Sequence, residues 1–276
     1  MALFRMTSIT SRLALAAAMA LGLGLYPIIA LATETEKYPI WWSPTLELES
    51  LDKVDDRLRR PFGRGFDEGL PLFKGEGVDQ VVVGAKNCIS LERLLDDGYW
   101  GLGRNNHEIG LFFLAQCGAI RMIAAAKPAK VSFVSEFIMT TEALDYLPAM
   151  VELAISCDWL CRQYRANEMR ISLARFEAEF GIELNVLSEF KIEGTSEGWF
   201  FDVEIVARAD LNHDGPEDLL VIAGADATEG HWGTTRLFLL SRDTADGVLW
   251  VVDADKELCP DYRPCDAHYD EPAALR

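Results

Sequence analysis

The sequence is short of basic residues, with 26 Lys and Arg against 44 Asp and Glu and a net charge of -18. Phosphate-backbone binding needs Lys and Arg clustered on one face, so this balance excludes a nucleic-acid binder, and cationic ligands fit better. Histidine is scarce as well. There are four, His107, His213, His231 and His268, with no H-E-x-x-H or Cys-x-x-Cys pattern, so a zinc site would have to be assembled from scattered residues. A serine-hydrolase elbow is missing: the look-alike Gly194-Thr195-Ser196-Glu197-Gly198 has its serine central but is expected in a turn between antiparallel strands, not where a strand turns into a helix. No repeat of 20 to 50 residues, no Ser/Gly linker and no long charge run interrupts the chain. A single domain follows. What the chain does have is apolar content, 50% hydrophobic with 25% charged, enough to build a core and unlike a disordered acidic tail.

The first 32 residues carry Arg5 and Arg12, no acid, and an apolar run from Leu13 to Ala32 that ends in Ala30-Leu31-Ala32. A basic start, an apolar stretch and a small-x-small site are the parts of a secretory signal, so residues 1–32 read as a signal peptide cut after Ala32. The alternative is a signal anchor, because the uncharged stretch reaches the ~20 residues that span a bilayer; Pro27 and the A-x-A site favour cleavage. A periplasmic or secreted protein is expected, with membrane attachment only if the signal stays uncut. Six cysteines in such a chain are expected to be oxidised. Cys259 and Cys265 bracket a short proline-bent loop that would close a disulfide-looped tail, 259–276, and Cys88 with Cys117 would tie the start of one helix to the middle of the next. Cys157 and Cys161 are one helical turn apart, about 5 to 6 Å between Cβ atoms, too far for a disulfide in a regular helix. Either that helix is distorted or ends there, or these two stay reduced or pair elsewhere.

The expected fold class is α+β: an N-terminal helical part, about 43–181, packed with a C-terminal antiparallel β-meander, about 182–258. Ser43-Pro44 caps a helix carrying Leu48, Leu51, Val54 and Leu58 until Pro61 stops it, and residues 62–77 are loop. A short run, Val81-Val82-Val83, precedes a helix from about Ser90 to Asp96. Asn105-Asn106 caps a segment from Glu108 to Ala126 so apolar that it should be buried almost all round. Further helices are predicted over Pro148 to Gln163 and Ile171 to Phe180. From Ile182 the period changes to two, with Phe201, Val203, Ile205 and Ala207, then Leu219 and Val221, then Leu237 and Leu239, then Leu249 and Val251, a meander with one wet face.

The motif that carries chemistry is Asp210-Leu211-Asn212-His213-Asp214-Gly215-Pro216-Glu217-Asp218, followed by Leu219-Leu220-Val221. Calcium takes six to eight hard oxygens, and carboxylates at alternate positions of a tight loop can converge on one point. An EF-hand is excluded, since the twelfth position from Asp210 is Val221, inside a predicted strand, where that motif needs a bidentate Glu. The loop resembles the strand-loop-strand calcium site of FG-GAP (integrin-alpha-type propeller) repeats, D-x-[DN]-x-[DN]-G-x-x-D and then L-[LI]-V, over residues 199–224. That resemblance implies a Ca2+ site made by Asp210, Asn212, Asp214, the Pro216 backbone carbonyl and Asp218. His213 stands where the family commonly has glycine, and one copy is present where a propeller needs several. A structural role for the ion is expected over a catalytic one. The competing reading is an Asp-rich hairpin turn without metal, in which Asp and Asn bond their own backbone.

No catalytic residue and no organic cofactor is expected. His107-Glu108 reads as helix-start complementarity, His231-Trp232 as a hairpin tip, and Trp41-Trp42 as core or lid packing rather than a stacking platform. The function expected is an exported, calcium-stabilised binding or structural protein with an unknown protein or glycan partner. The alternative is a cell-envelope hydrolase whose site is assembled from dispersed residues.

Overall fold

A computed structural model of the chain describes residues 38–252 except 64, 76–79, 102–103, 154–156, 179–180, 197 and 230–232, with the backbone alone at 104–106 and 157–158. The expected signal segment, Cys259 and Cys265, the tail, the His231-Trp232 tip and His268 lie outside the described residues. In chain order, β1 (Trp41–Trp42) is followed by α1 (Val54–Arg59), the hairpin of β2 (Leu70–Lys74) and β3 (Val81–Ala85), α2 (Cys88–Asp96) and α3 (Arg104–Ala125). Then come α4 (Cys157–Glu168), α5 (Leu173–Phe176), β4 (Glu183–Ser188), β5 (Lys191–Ser196), β6 (Trp199–Ala209), β7 (Asp218–Ala227), β8 (Gly233–Ser241) and β9 (Trp250–Val251). Helices and antiparallel sheets both occur, so the class is α+β.

The main sheet runs β4-β5-β6-β7-β8-β9, and β1 pairs with β6 beyond the end of β5. Successive strand residues point to opposite faces, and here both faces of the central strands are apolar near the β6–β7 connection, while toward Trp199 the half-buried Asp202 and Glu204 alternate with Phe201 and Val203. Val203, Ile205, Val221, Ala223 and Leu240 pack with Val134, Leu147, Leu160 and Leu173 on one side. Val206, Ala207, Leu220 and Ile222 pack with Leu58, Leu70, Leu91, Ile120 and Ile123 on the other. The expectation of a wet face is therefore corrected for the central strands over 205–209 and 218–223 and kept for the start of β6. A sheet with helical cover on both faces needs near-continuous apolar strands, and Ile205-Val206-Ala207 is such a run. Its register shifts between Ile205 and Ala207, the mark of a β-bulge, which sends Val206 and Ala207 into the same core.

The first half is less helical than its periodicity predicts. The segment from Ser43 breaks into 3-10 turns at Pro44–Leu46 and Leu51–Lys53 before α1, because Glu47 takes a left-handed backbone, φ 52°, that a continuing helix cannot hold. Residues assigned to loop contain β2, which pairs with β3. α2 starts earlier than expected: Asn87 accepts from the Ser90 amide and the Ser90 hydroxyl answers the Asn87 amide, a reciprocal cap. α3 begins ahead of Asn105, so that pair does not cap it. Nor is α3 buried all round, since Phe112 is 42% and Leu114 38% exposed; Gly118 lets its other face approach Leu237 of β8 closely. α4 starts at Cys157, later than expected, after a 3-10 turn at Ala149–Val151, and α5 is a short Leu173–Phe176. Gly194–Ser196 lies within β5, not in a turn; a Cβ on Gly194 would meet the Phe201 ring at 2.2 Å, so the serine of the hydrolase look-alike sits on a strand.

Cys88, the first residue of α2, is bonded to Cys117 in the middle of α3, with Cα atoms 5.5 Å apart. Cys161 of α4 is also disulfide-bonded, which removes the reduced state for it; the Cys157 side chain lies outside the described residues. In the chain-entropy account the Cys88–Cys117 loop contributes about 3.5 kcal/mol. The double variant Cys88→Ala/Cys117→Ala is expected to lose about 2 to 4 kcal/mol of unfolding free energy in urea titrations; a loss below about 1 kcal/mol would mean that this bond is not a principal clamp of the helical layer.

Candidate metal centre

The Asp210–Asp218 loop joins the two longest of the described strands, β6 and β7, so its ends are held by the most extensive pairing among the described residues. Asp210 follows the last residue of β6, and Asp218 is the first of β7. A separate segment clamps the loop from outside. Lys127 and Asp210 exchange backbone hydrogen bonds at 3.1 and 3.0 Å, the Lys130 amide donates to Gly215 at 3.0 Å, and the Glu217 amide donates to Val131 at 2.8 Å. The Ser132 hydroxyl donates to the Glu217 carboxylate. His213 Nε2 donates to the Ala125 carbonyl at 2.7 Å, capping the C-terminal end of α3. His213 adopts φ 68° and Gly215 φ 108°, the region where an L side chain is strained and glycine is not.

Asp210, Asp214 and Asp218 each offer a carboxylate oxygen within 4.8 Å of the others, forming a group that can hold a metal ion. Asp210 and Asp218 are buried, 4% and 0% exposed, while Asp214 is open to solvent. Oδ1 of Asp210 and Oδ1 of Asp218 are both buried without a hydrogen-bond partner. An orphaned buried carboxylate oxygen costs more than a neutral one, and a cation shared between two of them removes that cost. Burial pushes the Asp218 carboxyl up to about 6, with Asp214 adding to it; hydrogen bonds from Ser241 and the Leu211 and Asn212 amides pull the other way.

The structure thus brings together three of the five residues read from the motif. Asn212 turns to Asp214 instead: its Nδ2 donates to Asp214 at 2.9 Å, and its Oδ1 accepts from the Asp214 amide at 3.0 Å. That is the Asx-type bonding expected of a metal-free turn, and it occupies the Asn212 carbonyl. Pro216 is bridged through its backbone to Val131. Because the loop is flanked by strands, the exclusion of an EF-hand holds.

Other candidates from the sequence go elsewhere. His107 is solvent-exposed on α3. Trp41 stacks on Phe190 at 4.6 Å, and Trp42 Nε1 donates to Leu48 at 2.7 Å, so the pair packs and does not form an open platform.

One constellation escaped the sequence altogether: Glu152, after the 3-10 turn at Ala149–Val151, faces Glu177, which caps α5. Both are buried. Burial, the Glu177 charge and a side-chain hydrogen bond between the two push Glu152 up to about 9, and burial also raises Glu177. Glu152 therefore keeps its proton at neutral pH and donates it to Glu177, while Arg162 lies close enough to favour charge on Glu177. No spacing rule connects positions 25 residues apart, roughly, on separate short elements; only the fold makes them neighbours. Compared with protein-family models, curated proteins and solved structures, the chain matches none.

The Glu152 proton sets a pH dependence. A carboxyl raised in the folded state stabilises fully below its unfolded value, about 4.3, and that contribution is lost as pH rises toward its folded value of about 9. The melting temperature is expected to fall between pH 5 and pH 9, and Glu152→Gln, which keeps a neutral hydrogen-bonding group, to flatten at least half of that slope. An unchanged slope in the variant would assign the dependence to other groups.

Proposed function

We propose that this is an exported binding protein whose Asp210–Asp218 loop holds one calcium ion as a structural staple. The observation that carries the reading is the pair of buried, unpartnered oxygens on Asp210 and Asp218, with the Asp214 carboxylate completing the group. Hard carboxylate oxygens on a turn with no thiolate or imidazole among the three favour calcium over zinc or copper. The ion would draw further oxygens from Asn212, if its side chain rotates away from Asp214, and from the Pro216 carbonyl, in keeping with the FG-GAP-type pattern. Its work is mechanical: both ends of the β6–β7 connection and the 127–132 segment bonded to it become one unit.

Export is supported by the basic, apolar and small-residue order of residues 1–32 and by the Cys88–Cys117 bond, since structural disulfides belong to oxidising compartments. The hydrolase alternative would find two converging carboxyl groups in Glu152 and Glu177, but at 6% and 3% exposure neither is open to a substrate. The pair reads as a protonated core contact.

Thermal melts in calcium and in chelator test the staple. At 100 times its dissociation constant an ion bound only to the native state adds ~2.7 kcal/mol, or about 5 to 10 °C for a domain of this size. Asp210→Ala is expected to abolish that shift. Asp218→Asn should abolish it too and, by removing a buried unpaired charge, raise the melting temperature in chelator. An equal melt with calcium and chelator for the wild-type protein would overturn the reading.

A further inference from the structure

Two arginines reach the same loop, residues 133–137, from the sheet, and they are satisfied very differently. Arg208 of β6 spends both terminal nitrogens on backbone: Nη1 donates to Val134 at 3.2 Å and to Ser135 at 2.7 Å, and Nη2 donates to Phe137. Arg242, directly after β8, is 6% exposed. Its Nε donates to the Phe133 carbonyl, and its guanidinium lies over the Phe137 ring, 5.6 Å from the centroid. That fixes the plane of the fork. Its terminal nitrogens make no hydrogen bond to any described residue, and they are not sealed from solvent either. Asp246 and Tyr146 act on the guanidinium from a distance without forming an ion pair. In a protein with 44 acidic residues, a largely buried arginine whose fork meets no carboxylate among the described residues is a built feature: burying a charge unpaired is costly, and the fork geometry suits a planar carboxylate taken bidentately.

Arg242 lines a cavity of about 650 Å³ together with Ser132, Ser135, Thr140 and Tyr146. The exposed acids Glu136 and Glu142 line it too, and Glu142 is held by the Thr140 hydroxyl at 2.9 Å. One buried cation and two exposed acids in the lining disfavour a dianion such as phosphate and favour a ligand with one carboxylate and one ammonium group. Phe133 and Phe137 add apolar wall, and the volume exceeds what such a molecule needs.

We propose that this cavity binds a free α-amino acid, with Arg242 holding its carboxylate and Glu136 and Glu142 drawing its ammonium group. The inference deepens the binding-protein reading and rests on it, but not on the metal; the Ser132 wall is tied to the Asp210–Asp218 loop through Glu217, so a staple there would steady the pocket.

The test is a calorimetric titration of the full chain with each of the twenty common L-amino acids. At least one should bind. Its carboxamide, which keeps the ammonium, and its N-acetyl form, which keeps the carboxylate, should each bind at least tenfold more weakly. Arg242→Gln should cost a similar factor, and if that variant does not fold, Glu136→Gln/Glu142→Gln, on exposed positions, should weaken the amino acid while leaving the N-acetyl form unaffected. No binding by any member, or equal binding of the carboxamide, would overturn the proposal, and equal binding of the N-acetyl form would overturn the zwitterion assignment. A calcium-dependent melt without amino-acid binding would sink this inference and leave the staple standing; binding with a calcium-independent melt would do the reverse.

Discussion

The pairing of β6 with β7 is the constraint on which the remaining structure depends. Among the described strands these two are the longest, are registered from Trp199 opposite Ala227 to Ala209 opposite Asp218, and are buried on both faces over 205–209 and 218–223. A sheet apolar on both sides must be covered twice, and the cover is divided accordingly: α1, α2, α3 and the β2–β3 hairpin on one face, and α4, α5 and the turns of residues 143–151 on the other. The bulge at Val206 adjusts this arrangement. By placing Val206 and Ala207 in one core it sends Arg208 to the opposite face, where its fork gathers three carbonyls of the 134–137 segment.

The candidate metal loop follows from the same pairing. A turn closing two strands that are buried at its end, over 205–209 and 218–223, begins and ends inside the protein, so Asp210 and Asp218 are drawn out of water at the places where the strands meet the turn. Ordinary hairpin turns leave such carboxylates solvated. Here two oxygens are left unpartnered, and the surrounding bonds from residues 125–132 restrict the loop's freedom to swing them outward. Burial and tethering together turn a commonplace acidic turn into a site with a charge to compensate.

Buried polarity elsewhere is handled by other means. Glu152 and Glu177 share a proton, Arg208 gives both terminal nitrogens to backbone carbonyls, and Gln163 donates to the Ala149 and Glu152 carbonyls. Against these, Arg242 stands out because its fork is fixed in plane by Phe133 and Phe137 yet left open at its tip. The cavity beside it is a surface that no local sequence pattern marks.

The strands of the second half were readable because alternation, Phe201, Val203, Ile205, survives wherever one face is apolar, and the acidic loop was readable because its ligands are near neighbours in the chain. The Cys88–Cys117 bond, too, was foreseeable from two cysteines at a helix start and in the middle of the next. Less was legible where long-range packing outweighs local preference. The leucines at 48, 51 and 58 have helical spacing, yet the left-handed Glu47 and the docking of Leu46 and Leu48 in the core break the segment. Likewise the apolar α3 has one face on the sheet and Phe112 and Leu114 in the open. By itself, then, the sequence determined the α+β class, the acid surplus and the position of the metal-type loop, since each rests on composition or on residues a few positions apart. Only the tertiary structure decided that two of the loop's aspartates are buried, each with one oxygen left without a partner, that Glu152 meets Glu177, and that Arg242 lines a cavity, because burial and long-range proximity arise only when distant segments pack.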